Sequence, residues 1–350
     1  MVDHLFTMAL RSRPLPPISA EALSIHSAAL IVDLHCDLLL TRHLLGWDFQ
    51  KRHRPNPFPG AALFGHCDIP RLKEGNIGAI AFGVVTNPLR RTSGPAAVES
   101  DLDALAIEVA RSPESLALCG NAQSIRAAHA AGKIACFAGL EGAHGLYGRL
   151  DDLPRFRAKG LRYVGLVHFT KNEAARPMVG WGASHVEGLT PFGLNLVDEL
   201  WRLGILVDLA HLGKAAVLEV CRRSRRPVLI SHTGCAALHP SPRSVDDDVL
   251  RAVADTDGVI GVIFVTPFIG AGGAKTAARH LDHIKRTVGV RHCALGTDWE
   301  GFALYPSDLD SADKLPNLTQ ALLDLGWSAH DIHAAYGNNV LRVIEAGCGG

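Results

Sequence analysis

Short apolar runs alternate along the chain with stretches in which apolar residues recur at helical spacing. Eight runs rich in Ile, Val, Leu and Ala, each bounded by Gly, Pro or polar residues, are typical of buried strands. They cover residues 28–34, 77–85, 133–140, 162–167, 205–209, 227–231, 259–265 and 292–297. Between the runs, the spacing predicts helices over 96–111, 192–203, 214–223, 246–254 and 277–288.

Strands that alternate with helices predict right-handed crossovers and a parallel sheet. Eight such strands between residues 28 and 297 are what a (β/α)8 barrel requires. The predicted fold is therefore α/β, a (β/α)8 TIM-type barrel of the kind found in metal-dependent hydrolases. We predict a single domain over residues 1–350, with 1–27 as an N-terminal extension and 328–350 as a closing helix and tail.

Most of these predicted strands end at or near a side chain suited to metal or acid–base chemistry. His35 and Asp37 follow the first strand two residues apart, so their side chains point the same way. An imidazole and a carboxylate that converge at a strand end make half of a metal site. Later strand ends supply similar side chains, namely Glu141, His168, His211, His232 and Asp298. Because the strands of such a barrel all end at one face, the sequence predicts one site there.

Composition narrows the class of protein. Of the 350 residues, 47% are hydrophobic and 20% charged, which is ample for one large core. The 35 basic and 35 acidic residues balance, with no basic stripe, so we expect no nucleic-acid partner. No signal-type segment and no apolar span of membrane length is evident, so we expect no membrane partner and a cytoplasmic location. The eight cysteines lack paired spacing and are predicted to be buried free thiols.

A series of short motifs between residues 31 and 343 carries a family resemblance. The motifs are DLHCDL (33–38), CDIPRL (67–72), LEGAHG (140–145), LRY (161–163), GLTPFG (188–193), VDLAH (207–211), ISH (230–232), DDVL (247–250), HLDHI (280–284) and LGTD (295–298). In order and spacing they resemble the membrane (renal) dipeptidase family, zinc peptidases of the amidohydrolase-type barrel group. The chain looks like a bacterial-type member.

The resemblance implies a centre with two Zn²⁺ ions per chain. By analogy with the family, His35 and Asp37 would bind one ion, His211 and His232 the other, and Glu141 would bridge the two. Imidazole and carboxylate ligands suit zinc, although the same ligands leave other divalent ions open.

The resemblance also implies three residues that act on the substrate. Asp298 resembles the acid/base that moves the proton from water to the leaving amine. His168 resembles the residue that stabilises the oxyanion and contacts the substrate; the alternative is a histidine that merely ends a strand. Arg243, eleven residues after His232, matches the arginine that binds the terminal carboxylate of the substrate. The alternative for Arg243 is a solvated arginine in a basic region.

The implied function is a zinc-dependent dipeptidase that cleaves short dipeptides, including L-Xaa-D-Xaa, with a bridging metal-bound hydroxide. The family pattern is altered at Cys36, over residues 169–177, and at Val265 where an aromatic residue is usual. These changes keep open an N-acyl amino acid amidase or lactonase built on the same metal barrel. A barrel that binds metal without catalysis is the remaining alternative. Family members often pair, so the resemblance also implies a homodimer.

Overall fold

The computed structural model describes residues 17–53, 63–85 and 94–349. Most of its strands belong to one parallel barrel. In chain order the strands are β1 (Ile31–Cys36), β2 (Ile77–Val85), β3 (Leu116–Leu118), β4 (Ile134–Glu141), β5 (Leu161–Gly165), β6 (Leu206–Asp208), β7 (Leu229–Cys235), β8 (Ser244–Val245), β9 (Val259–Val262) and β10 (Cys293–Leu295).

Eight of these strands close on themselves. Neighbours follow the order β2–β1–β10–β9–β7–β6–β5–β4, and β4 also pairs with β2, which completes the ring. All the pairings are parallel, as crossover connections require. The short strands β3 and β8 lie outside the ring, beside the start of β4 and the end of β7. The predicted (β/α)8 barrel is confirmed.

Helices connect the consecutive barrel strands, and others precede β1 or follow β10. They are α1 (Ala20–Ala28), α2 (Leu38–Leu45), α3 (Ile69–Glu74), α4 (Pro95–Arg111), α5 (Ala122–Ala130), α6 (Leu153–Ala158), α7 (Pro191–Leu203), α8 (Lys214–Arg223), α9 (Asp247–Asp255), α10 (Thr266–Ile269), α11 (Ala274–Val288), α12 (Pro316–Asp324), α13 (Ala329–His333) and α14 (Asn339–Cys348). The five predicted helices are confirmed as α4, α7, α8, α9 and α11. The spacing did not predict several of the others, because helices of six to nine residues show barely two turns of periodicity.

The ends of several strands differ from the prediction. The predicted seventh strand, 259–265, stops at Val262. Beyond it the N–H of Ile263 still donates to the carbonyl of Thr233 in β7, but the N–H of Phe264 donates to Thr297 in the loop after β10. Residues 263–265 are nevertheless buried, and apolar character reports burial rather than ladder pairing. β7, by contrast, is longer than predicted and continues to Cys235. His232 therefore lies inside the strand and not after it.

The two ends of the chain pack on the barrel. Residues 1–16 of the predicted extension lie outside the described residues, and α1 contacts α12 through a bond of 2.9 Å between His26 Nδ1 and Thr319 Oγ1. The predicted closing helix is interrupted by a π turn, Ala334–Asn338, between α13 and α14. All eight cysteines are buried and free, as predicted.

Gly337, in that π turn, lies directly against the strand that carries His35. A Cβ atom at this position would be 2.1 Å from the carbonyl oxygen of Leu30, which no rotamer change can relieve. We expect Gly337→Ala to lower the free energy of unfolding by about 1–3 kcal/mol through overpacking. Urea denaturation measures the change.

The matched control is Ala346→Ser, which adds one atom at an exposed position of α14. Its cost should stay within about 0.5 kcal/mol. Equal stability of the two variants would show that the π turn does not pack on β1 as described.

Candidate metal centre

Five buried side chains converge at the carboxyl end of the barrel strands. They come from the end of β1, the end of β4, the loop after β6 and the middle of β7, and they are His35, Asp37, Glu141, His211 and His232. Their potential ligand atoms form two overlapping groups, each with all atoms within 4.8 Å of one another. The first group is His35, Asp37 and Glu141, and the second is Glu141, His211 and His232.

The Oε1 atom of Glu141 is common to both groups. It lies 3.4 Å from His35 Nε2, 2.9 Å from His211 Nε2 and 3.6 Å from His232 Nε2. Asp37 completes the first group, with its Oδ1 atom 3.2 Å from His35 Nε2. A carboxylate that faces ligand atoms on two sides has the geometry of a bridging ligand.

Two atoms of the first group suggest that this space suits a cation. His35 Nε2 and Asp37 Oδ1 are buried, and neither has a hydrogen-bond partner among the described residues. Buried polar atoms are normally paired, because losing water without a replacement costs about 1–3 kcal/mol. Nitrogen and carboxylate donors in groups of three match what divalent zinc and related ions accept.

Burial and charge set the protonation of these side chains. Burial lowers the pKa of His211 and His232 well below the usual value, so both are neutral, the form that binds a metal. Burial opposes ionisation of Glu141, but His168 and His35 outweigh it and hold its pKa well below the usual value. Glu141 is therefore an anion at neutral pH.

Asp298 and His168 flank the two groups, as the strand ends predict. Asp298 Oδ1 is 3.9 Å from His35 Nε2, and His168 Nε2 is 3.5 Å from Glu141 Oε1. Burial raises the pKa of Asp298 well above its usual value, and the charges of Asp37 and Glu141 raise it further. Asp298 also forms a third group of potential ligands with His35 and His232.

Arg243 is buried beside the same cluster, with 1% of its surface exposed. The alternative of a solvated surface arginine is wrong, because the loop after β7 folds this side chain inward. Its Nη1 atom is 3.4 Å from Met178 Sδ, and its Nη2 atom donates to the carbonyl of His232 at 3.5 Å. No carboxylate of the described residues lies within ion-pair distance of its guanidinium, and its Nε has no hydrogen-bond partner there. The charges of Asp298, Glu141 and Asp208 act on Arg243 only from beyond ion-pair distance. A buried guanidinium that forms no ion pair with the described residues is suited to an anionic ligand.

The backbone is strained at two of the converging residues. His211 and Asp298 have φ angles of 66° and 61°, in the left-handed region that non-glycine residues rarely occupy. The N–H of Met178 donates to the carbonyl of His211 at 2.6 Å, and the N–H of Asp298 donates to that of His35 at 3.0 Å. Such strain persists only where surrounding contacts hold it, and it is concentrated at functional sites.

Buried carboxylates supply further restraints beside the cluster, and sequence reasoning assigned them no role or only a supporting one. Asp33 accepts the N–H groups of His35 and Thr297 at 3.2 and 2.9 Å, which ties β1 to the turn before Asp298. Glu300 accepts three backbone N–H groups, from residues 65–67. Asp208 accepts the N–H groups of Ser231 and Ala210. Its place in the motif VDLAH (207–211) is the only sequence signal that pointed to it.

The altered segment 169–177 lies at the edge of the cluster. The Phe169 ring is 4.5 Å from that of His168 and 4.9 Å from that of His211, and 41% of its surface is exposed. Two backbone bonds of 2.9 Å hold the segment in place: the N–H of Trp181 donates to the carbonyl of Phe169, and the N–H of Lys171 donates to the carbonyl of Trp181. The other altered position, Val265, is buried and precedes α10. The altered segment therefore presents an apolar side chain, Phe169, beside the cluster.

No helix in the described ranges is both long and apolar enough to cross a membrane.

Comparison with known proteins places this centre in a family context. The sequence profile of the membrane dipeptidase family, peptidase family M19, matches residues 19–347. Dipeptidase aclJ of Aspergillus oryzae is 29% identical over 368 residues, which cover 98% of this chain and 86% of that protein.

Solved structures agree. The structure of a metallo peptidase of family M19, dipeptidase AC, superposes with a TM-score of 0.82 at 26% identity, over 92% of this chain and 99% of that one. A metallo peptidase from Rhodobacter sphaeroides, solved with a phosphinate mimic of the dipeptide L-Ala-D-Ala, gives a TM-score of 0.80 at 25% identity, over 91% and 99%. The chain belongs to the membrane dipeptidase family, peptidase family M19, and is a metal-dependent dipeptidase.

Proposed function

We propose that this dipeptidase uses two divalent ions, Zn²⁺ by ligand type, held on either side of Glu141. His35 and Asp37 bind one ion, and His211 and His232 bind the other. The observation that carries the proposal is the pair of three-residue groups that share one carboxylate oxygen. When bound, two such ions supply Lewis acidity and lower the pKa of a water molecule toward about 7.

Asp298 moves the proton in this proposal. Its pKa is raised by burial and by Asp37 and Glu141, so it can accept a proton from the attacking water and keep it. It then donates that proton to the nitrogen of the leaving amino acid. Its partial exposure, 15% of the side chain, leaves it open to the substrate.

His168 and Arg243 orient the substrate. The Nε2 side of His168 points toward Glu141, where an N–H donor meets the scissile carbonyl oxygen as it gains negative charge. The guanidinium of Arg243 binds the free carboxylate of the substrate; the support is its burial without an ion pair to any described residue. A carboxylate bound this close to the cluster limits substrates to very short peptides.

The preferred substrates include dipeptides with a D-residue at the carboxyl end. The support is the Rhodobacter sphaeroides relative, which was solved with a mimic of L-Ala-D-Ala. The apolar ring of Phe169 beside His168 favours an N-acyl amino acid as the second candidate, because such a substrate keeps the carboxylate but lacks a charged amino end.

The substrate class is tested with a panel of L,L, L,D and D,D dipeptides, N-acyl amino acids and lactones, using protein loaded with Zn²⁺. We expect release of amino acids from L,L and L,D dipeptides, loss of activity on removal of metal with a chelator, and recovery when Zn²⁺ is returned. Turnover of acyl or lactone substrates alone would contradict the proposed L,L and L,D substrate preference and favour the second candidate.

Asp298→Asn tests the proton carrier. The amide has the same size but cannot accept the proton, so kcat should fall by about 10²–10⁴-fold with little change in KM. Metal content, measured by mass spectrometry of the purified variant, is the control. A variant that has lost one ion would identify Asp298 as a ligand, as its group with His35 and His232 allows.

Arg243→Gln tests the carboxylate contact. We expect kcat/KM for a free dipeptide to fall by an amount equivalent to about 2–5 kcal/mol, as for other truncated buried charge pairs. The same dipeptide with its carboxyl group amidated should be a poor substrate of both proteins and show no further loss. Arg243→Lys is the matched variant, with the charge kept and the planar fork removed. An equal loss on both substrates would contradict carboxylate recognition.

A further inference from the structure

Two of the histidines in the metal centre contact a hydroxyl group through their Nδ1 atom, on the side away from the cluster. We propose that Tyr163 and Ser231 are positioning residues, each of which fixes the tautomer and ring orientation of one metal-binding histidine and so sets the affinity for one of the two ions. The inference rests on the proposed function, in which His35 and His232 serve different ions.

The direction of the hydrogen bonds at Tyr163 follows from its neighbours. Its hydroxyl oxygen lies 2.7 Å from the carbonyl of Leu34 and 2.9 Å from His35 Nδ1. A carbonyl can only accept, so the single phenol proton goes to Leu34, and the oxygen accepts the N–H of His35 Nδ1. With the proton on Nδ1, the lone pair of the neutral ring is on Nε2, which faces Asp37 and Glu141.

Tyr163 reaches His35 because a glycine on the neighbouring strand leaves space for its ring. The residue is on β5, and its partner in the neighbouring strand β4 is Gly139. A Cβ atom at Gly139 would lie 1.8 Å from Tyr163 Cζ, so no other residue fits opposite this ring. The tyrosine is 1% exposed, and its hydroxyl meets β1 at the point where His35 begins the metal centre.

Ser231 performs the same task for His232 with a different partner. Its Oγ atom is 2.6 Å from Asp208 Oδ2 and 2.9 Å from His232 Nδ1. Asp208 accepts at its other oxygen too, from the N–H groups of Ser231 and Ala210 at 2.8 and 3.0 Å. The serine proton therefore goes to Asp208, and Ser231 accepts the N–H of His232 Nδ1. The Nε2 atom of His232 is left to face His211 and Glu141.

His211 has no equivalent support. Its Nδ1 atom is buried without a hydrogen-bond partner in the described ranges, and its position depends on its backbone bond to Met178. In this proposal each ion has one histidine oriented by a hydroxyl, and the two hydroxyl hydrogen bonds are separate although the rings of His35 and His232 stack with 4.4 Å between their centroids. Removal of one hydroxyl should lower the affinity for one ion and leave the affinity for the second unchanged.

The test is a calorimetric titration of metal-free protein with Zn²⁺, repeated with Co²⁺ so that the absorption spectrum reports the ligand geometry. Tyr163→Phe and Ser231→Ala should each lower the affinity for one ion by about 10–100-fold, the range typical of groups that orient a metal-binding histidine. The wild-type affinity for the second ion should be kept.

The matched control is Tyr336→Phe, which removes another buried tyrosine hydroxyl, bonded to Thr319 Oγ1 at 2.8 Å and outside the metal centre. It should lower thermal stability by a similar amount and leave both affinities unchanged. Ser231→Thr keeps the hydroxyl and should restore the affinity that Ser231→Ala loses. This pair keeps the test decisive if Tyr163→Phe fails to fold.

Asp37→Asn identifies the ion that each hydroxyl serves, because Asp37 is a proposed ligand of only one. In that background, Ser231→Ala should weaken the remaining ion and Tyr163→Phe should not. Two tight ions in the wild type with unchanged affinities in both variants would overturn the positioning roles alone. Fewer than two ions in the wild type would overturn the two-ion proposal, and with it the assignment of one hydroxyl to each ion.

Discussion

The buried carboxylate of Glu141 is the contact on which the organisation of this protein depends. An anion taken out of water is tolerated only where opposite charge or hydrogen-bond donors replace the lost solvent. Here four imidazoles reach one oxygen atom, from β1, from β7 and from the loops after β5 and β6. None of these segments is close to Glu141 in sequence, so closure of the barrel is what makes the cluster possible. A divalent cation bound by these side chains would supply the positive charge that stabilises the buried carboxylate.

The residues that support the metal centre are buried carboxylates that accept backbone hydrogen bonds. Asp33 and Asp208 are buried carboxylates that accept backbone N–H groups from the residues that precede Asp298, His211 and His232. Glu300, two residues after Asp298, accepts three N–H groups from residues 65–67. Asp298 and His211 are held in the left-handed region. Rigid supports of this kind hold a site in one geometry before a ligand arrives. The carboxylates fix the backbone in this way, and the hydroxyls of Tyr163 and Ser231 restrain the imidazole rings of His35 and His232 through their Nδ1 atoms.

Chemistry and specificity are built from different parts of the fold. The potential ligands and Asp298 come from the carboxyl-terminal parts of the barrel strands, or lie within three residues of a strand end, so the barrel ladder sets their positions. The proposed substrate-binding surface includes Phe169 and the segment that follows it, which is attached by a few backbone bonds. Loops of this type tolerate sequence change better than strand ends do. A relative can therefore keep the reaction while its preferred substrate changes.

The sequence alone determined the fold and the membership of the cluster. Alternating strand and helix patterns predicted the barrel, and parallel strands that end at one face implied that His35, Glu141, His211 and Asp298 would meet. Tertiary structure decided the rest, because periodicity reports burial and not partners. It decided that β9 ends at Val262, that Arg243 is buried with no ion pair to the residues that the structure describes, and that the ring of Tyr163 packs over Gly139 and reaches β1. Each of these outcomes depends on contacts between residues distant in sequence, which exist only once the ring of strands has closed.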